Sequence, residues 1–260
     1  MADLMRDKTV LVMGVANRWS LAYAIAQALA REGARLCLTY QAERVRKSVE
    51  DLGQELGAAG VYPCDVSQDE SVAALFQQLG AELGAAGRSL DGVVHSIAFA
   101  HKEDLEKPFE QTSRAGFATA LDVSAYSLVA VSHHAGPLMT AGGGIVTLSY
   151  LGATRVVTNY NVMGVAKAAL EAEVRYLASE LGPRGIRVNA ISAGPIKTAS
   201  ARAIKDFSSI LDHVAQRAPL RRVTDPAEVA DTALFLLSPA GRGVTGDVLF
   251  VDSGYHILGI

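Results

Sequence analysis

Cysteine is scarce: two in 260 residues, Cys37 and Cys64, with no C-x-x-C spacing. That excludes a disulfide framework and a cysteine-based zinc site, and it suits two inert core thiols in a reducing cytoplasm. The six histidines show no H-E-x-x-H or similar ligand spacing, so no metal centre is expected. Neither sign of charge dominates. Lys and Arg total 24 against 27 for Asp and Glu, a net charge of −3. A nucleic-acid binder or a protein held on an anionic membrane would carry a basic excess. No uninterrupted apolar run approaches the ~18 residues of a membrane helix. The opening "MADLMRDKTV" lacks the apolar stretch of a signal peptide. Linkers, low-complexity tracts and repeats are missing too, so one domain over residues 1–260 is expected.

What is present is apolar and alternating. Half of the residues are hydrophobic, enough for a full α/β core. Strand-like runs stand at 9–13, 35–40, 61–66, 91–99, 144–151, 186–192 and 247–254. Helical spacing fills 20–32, 42–57, 69–84, 112–139 (as two helices), 160–181, 198–216 and 226–238. The strands are rich in Val, Ile and Leu without polar alternation, as in parallel strands covered on both faces. Seven such strands with intervening helices predict a Rossmann-type doubly wound sheet. Ligands then bind beyond the C-terminal strand ends. That rule singles out the loops near 14–20, 40–41, 64–66, 95–100, 149–152 and 192–198.

The first of these loops, "MGVANRWSLA" (13–22), has one glycine where the dinucleotide fingerprint has three. Gly14 can still turn the chain tightly. Ser20 is placed to cap the following helix, where its hydroxyl and the N–H groups beginning at Leu21 can meet a pyrophosphate. An ordinary serine cap in a plain turn fits the same residues. No acidic residue follows the second strand. Gln41 there can bond a ribose 2′-hydroxyl but offers no charge to a 2′-phosphate, which favours NADH over NADPH; Arg44 and Arg46 stand close by. Asp65 after the third strand can accept from an adenine amino group or serve as a helix cap.

The stretch "NYNVMGVAK" (159–167) puts Tyr160 seven residues before Lys167. On a continuous helix that offset leaves the two side chains about 20° apart, two turns along one face. An acid with a cation beside it to lower its pKa fits this spacing. So does an amphipathic core tyrosine followed by a surface lysine.

These segments together resemble the short-chain dehydrogenase/reductase family over almost the full chain. The resemblance rests on the strand–helix order, "CDV" at 64–66, the Tyr–Lys helix, "RVNAISAGPIKT" at 187–198 and "VTGDVLFVDSG" at 244–254. In the common form of that family the tyrosine stands four residues before the lysine, where this chain has Met163. The strand-end serine of the common form is here Tyr150. "GVA-x-x-x-S-x-A", "SYLGA" (149–153) and "YNVMGVAK" (160–167) resemble a narrower branch, the NADH-dependent enoyl-acyl-carrier-protein reductases of bacterial fatty-acid synthesis.

The resemblance implies a fatty-acid-biosynthesis oxidoreductase that reduces the C2=C3 bond of trans-2-enoyl thioesters with NADH. Tyr150, Tyr160 and Lys167 are its expected catalytic residues, with Lys167 on the nicotinamide ribose. Tyr160 hydrogen-bonds the developing enolate oxygen. Tyr150 orients the thioester or shares that bond. A shift of three helical residues moves the tyrosine ~4.5 Å along the axis, about what two extra bonds between hydride acceptor and oxygen require. The implied cofactor contacts are Gly14, Ser20, Leu21, Gln41, Asp65, Val66, Ile97, Lys167, Ile196, Lys197, Thr198, Ala199 and Ser200. Ala100, Met163 and Phe207 line the acyl slot, and 198–216 forms a lid. Departures include Ala98 where the branch has glycine, Asp122 where the wider family has asparagine, and Ser208 and Ser209 after the basic Arg202 and Lys205.

The implied partners are an acyl carrier protein or coenzyme A thioester and copies of the chain in a homotetramer. No nucleic acid and no membrane are expected. A ketone or alcohol oxidoreductase of the wider family, or a non-catalytic dinucleotide sensor, is the alternative.

Overall fold

Apolar runs without alternation set the strands, because a central parallel strand gains from burying side chains on both faces. The computed structural model describes residues 3–198 and 207–259. Its strands are β1 (Thr9–Met13), β2 (Arg35–Tyr40), β3 (Gly60–Pro63), β4 (Gly92–His95), β5 (Gly143–Tyr150), β6 (Ile186–Ala193) and β7 (Val248–Val251). They form one parallel sheet in the order β3-β2-β1-β4-β5-β6-β7. All C-terminal strand ends therefore share one edge, and the order reverses between β1 and β4. The expected doubly wound sheet is what forms.

Two cores flank the sheet, and β1 feeds both. Val10 and Val12 face a core built with α1 (Leu21–Arg31), α2 (Glu43–Leu56) and α9 (Pro226–Leu237). Leu11 and Met13 face the opposite core, with α3 (Asp69–Ala85), α6 (Ser127–Ala135) and α7 (Asn161–Leu181). Alternation within an all-apolar strand thus serves two layers at once. Cys37 and Cys64 are both buried free thiols.

Three strands are shorter than their apolar runs. Pairing stops at Pro63, His95 and Val251. Past these points the chain folds over the sheet edge: Val66 lies in the second core and Ile97 packs against it.

A short helix, α4 (Lys102–Glu106), follows β4 where none was predicted. The two helices expected over 112–139 are α5 (Arg114–Leu121) and α6, joined through a π turn at Asp122–Tyr126. Among the described residues, Arg114–Leu138 is the one helical run long and apolar enough to cross a membrane. Half of its most apolar window is buried inside the protein, as in a core helix. Of the expected lid, α8 (Phe207–Arg217) is described; Ala199, Ser200, Arg202 and Lys205 lie outside the described residues.

Candidate active site

The loops at the switch point touch. Gly14 has φ +93°, and a Cβ there would lie 2.0 Å from Ser96 O. Any side chain would have to displace the backbone just after β4, so the single glycine of this loop is the one the fold requires. Beyond it, Ser20 Oγ donates to Asn17 O at 2.8 Å and accepts from Tyr23 N at 3.3 Å, capping α1 as predicted. Leu21 is the first residue of α1 and packs half-buried on the first core. This tight turn into a capped helix fits a dinucleotide pyrophosphate, whose negative charge the helix N-terminus favours.

The neighbouring strand ends are more open. Gln41 is exposed just past β2. Asp65 is half-buried and turns Oδ1 onto Ser67, accepting from its N–H at 3.1 Å and its hydroxyl at 2.8 Å. It does not cap α3, whose cap position is Gln68. Val66 and Ile196 are core residues. Lys197 is exposed, and Thr198 N donates to Ile196 O at 2.8 Å.

Tyr160 does not sit in the helix as predicted. α7 begins at Asn161, and Tyr160 is its cap, with φ −103° and ψ −27°. Both neighbours take left-handed conformations, Asn159 at φ 63° and Asn161 at φ 39°. Asparagine tolerates this region better than most residues. Hence the helical arithmetic of 20° and ~4.5 Å does not describe Tyr160. Its aim comes from the "NYN" turns and from what it leans on. A Cβ on Gly152 would meet the Tyr160 ring at 2.4 Å, and one on Gly164 would meet Gly152 O at 2.8 Å. Asn161 Nδ2 ties this corner to Leu105 O at 3.0 Å and Lys107 O at 2.7 Å. These two asparagines and two glycines were missed as site-building residues. Their signal was there: asparagine on both sides of the tyrosine, and glycine in both "SYLGA" and "NVMGVAK".

The corner gathers most of the expected substrate face. Tyr160, Met163 and Leu105 form a small apolar cluster, with Ala100 and Tyr150 packed against it. The Tyr150 and Tyr160 rings meet edge to face, centroids 4.9 Å apart. Burial, then the neighbouring Tyr150, holds the Tyr160 phenol above its ordinary value. Burial likewise pushes Tyr150 up to about 12. The expectation of a cation lowering the tyrosine pKa is not met: the shift runs upward, with burial as its largest cause. A phenol held neutral is a hydrogen-bond donor. Phe207 lies half-buried at the start of α8 and is not part of this cluster.

Lys167 is buried and donates from Nζ to Leu148 O at 2.7 Å. Burial brings it down to about 8, while Glu171 and Glu173 favour its charge. Ser149 immediately precedes Tyr150 but faces the other way along the strand, donating to Glu171 Oε1 at 2.5 Å. It therefore does not replace the serine of the common family.

The π turn decides which residue of α5–α6 faces the site. Asp122, the position compared above with the family asparagine, is exposed. Ser124 is fully buried, and its Oγ lies 3.6 Å from Met163 Sδ. Ser124 was not singled out in the sequence, because a π turn shifts the helical register without a compositional mark.

A cavity of about 690 Å³ opens beside Tyr150, walled by the 150–159 loop, α8 and the C-terminal segment at Tyr255 and His256. Tyr160 is not part of its wall, and it is roomy enough for part of an extended ligand.

Residues 14–256 match the family model described as Enoyl-(Acyl carrier protein) reductase. The chain is 54% identical over 257 residues to the Bacillus cereus protein named enoyl-[acyl-carrier-protein] reductase [NADH] FabI, covering 99% of this chain and 100% of that one. It is 50% identical to the Staphylococcus aureus enoyl-[acyl-carrier-protein] reductase [NADPH] FabI, covering 98% of each. A crystal structure of the Bacillus cereus enoyl-acyl carrier protein reductase with NADP+ and indole naphthyridinone superposes with a TM-score of 0.96 at 53% identity, over 100% of both chains. A strand edge with a glycine-tight switch point, a buried Tyr–Lys corner and near-complete coverage converge: this chain belongs to the enoyl-(acyl carrier protein) reductase family.

Proposed function

We propose that the protein reduces trans-2-enoyl thioesters borne by an acyl carrier protein, with NADH, in fatty-acid elongation. NADH, when bound, would supply the hydride for C3, and a proton from Tyr160 or water completes C2. Tyr160 donates its hydrogen bond to the thioester oxygen, where enolate charge collects, and Tyr150 holds the edge of that ring and orients the thioester. The supporting observation is the raised pKa of the buried Tyr160 phenol, which keeps a donor ready for developing charge. Lys167, anchored on Leu148 O, presents its cation to the ribose hydroxyls. Ala100 and Met163 line the acyl slot. Gly14, Ser20 and Leu21 receive the pyrophosphate; Gln41 and Asp65 receive the adenosine; Val66, Ile97, Ile196, Lys197, Thr198, Ala199 and Ser200 complete the cofactor contacts. Phe207 and α8 cover the acyl chain.

Homotetramer assembly belongs to the same proposal, supported by exposed Tyr176 and Ile257, at 73% and 67%. Work in the cytoplasm is supported by the two unpaired thiols. The whole chain is taken as one catalytic domain.

The test follows NADH and NADPH oxidation side by side with crotonyl and longer enoyl thioesters, and with simple ketones. Turnover is expected with the thioesters and NADH. Turnover of ketones alone would favour the wider-family oxidoreductase, and tight NADH binding without turnover would favour a sensor. Light scattering reads the tetramer.

A further inference from the structure

Two serines one turn apart grip the segment after β4 from the same helix. Ser127 Oγ donates to Val123 O at 2.7 Å, a carbonyl within the π turn. It also lies 2.8 Å from His95 Nε2, and Thr147 Oγ1, 2.9 Å from Nδ1 of the same ring, donates to His95 O at 3.1 Å. At the other end of the segment, Ser124 Oγ accepts from Phe99 N and donates to Phe99 O, both at 2.9 Å. A hydroxyl has one proton, and the carbonyl is the nearer and stronger acceptor, so the Met163 sulfur contact at 3.6 Å is packing.

One side chain thus saturates both backbone groups of Phe99. At the near end the stretch is held by Ser96 N donating to Met13 O at 3.2 Å and by Ile97 on the second core, whereas Phe99 is 46% exposed and Ala98 is exposed as well. Yet the stretch lies between two places where position matters. Ser96 O presses on Gly14 at the switch point, and Ala100 packs on the cluster of Tyr160 and Met163. The π turn supplies the reach. It releases Ser124 and Ser127 from ordinary helical register toward β4.

We propose that Ser124 is a positioning residue for the reduction: its hydroxyl clamps the 96–100 backbone to the π turn and so fixes the width of the acyl slot between Ala100 and Met163. The proposal rests on the enoyl-thioester reading above. Ser124 touches neither cofactor nor reacting atoms; it acts through Phe99.

The full chain carrying Ser124→Ala, and separately Ser124→Thr, is assayed with NADH and crotonyl-CoA, with amide hydrogen exchange over residues 96–100 followed in parallel. Ser124→Ala is expected to raise KM for the thioester on the order of 10- to 100-fold, the scale of an ångström-level misplacement. It is also expected to speed exchange at the Phe99 amide. Ser124→Thr keeps the hydroxyl and restores both. A lowered melting temperature with KM and exchange over 96–100 unchanged would overturn the proposal, since that is what a purely structural serine would show. Should Ser124→Ala fail to fold, Ser124→Cys, similar in size but a weak donor, carries the same comparison. Exchange is read without substrate. A wild type inert toward crotonyl-CoA would therefore sink the reductase reading, while the exchange result still decides the clamp.

Discussion

Gln41 is exposed at the end of β2, and Asp65, half-buried after β3, turns one oxygen onto the adjacent Ser67. Past β1 along the same edge, His95, Ser124, Lys167 and Glu171 are buried, each with a hydrogen bond. As proposed, the first region would grip the cofactor with loop residues open to water, and exposed contacts of that kind contribute little each. The second sets groups in a dry interior, where a misplaced donor or an unpaired charge is costly. Binding can be spread over many weak contacts, but charge stabilisation needs a few groups held still. Substitutions at the β4–β5 end should therefore act on turnover, and those at the β2–β3 end on affinity.

The sharpest way to break that contrast is Tyr160→Phe. It removes one hydroxyl and keeps the ring on Gly152, so kcat should fall by roughly 10²–10³-fold with little change in NADH affinity. Steady-state kinetics with an enoyl thioester measures both. An equal loss in NADH binding would mean that the two regions are not separable.

The next effect is read by pH. Lys167 titrates in the folded protein near 8, below its ordinary 10.5. Its charged form serves catalysis, so kcat/KM should fall as pH rises through about 8, approaching tenfold per unit where this group alone controls the rate. Stability moves the other way. Between pH 8 and 10.5 the unfolded chain keeps a proton that the folded one has lost, so this residue's contribution to unfolding free energy rises across that window. Denaturant titrations and pH–rate profiles on the same preparation should show the two opposite slopes.

Gly14→Ala tests the hinge between the regions. Its φ of +93° and the 2.0 Å approach to Ser96 O predict a cost of about 1–3 kcal/mol. Melting temperature and NADH affinity should fall together, because the displaced partner is the backbone just after β4. The smallest effect is expected at Gln41→Ala: roughly 0.5–1.5 kcal/mol of NADH affinity, measured by fluorescence titration, with kcat unchanged.

The strand runs, the Ser20 cap and the single glycine were readable because they depend on local chemistry: burial on both faces, a capping hydroxyl, a positive φ. Tyr150, Met163 and Lys167 were legible as a pattern. Tyr160 was legible as a residue but not as a geometry. The "NYN" turns take it off the helix, and a helical-wheel count cannot see backbone sign changes. Ser124 was illegible. Its role arises where a π turn in one helix meets a loop 25 residues earlier.

From sequence alone came the sheet, the edge proposed to bind and the residue types available there, since hydrophobic period and turn residues are properties of short segments. Tertiary structure alone decided which hydroxyl points where, that the key phenol stays neutral, and that one serine secures a distant backbone. Those outcomes depend on desolvation and on contacts between segments far apart in the chain, which no short window of residues encodes.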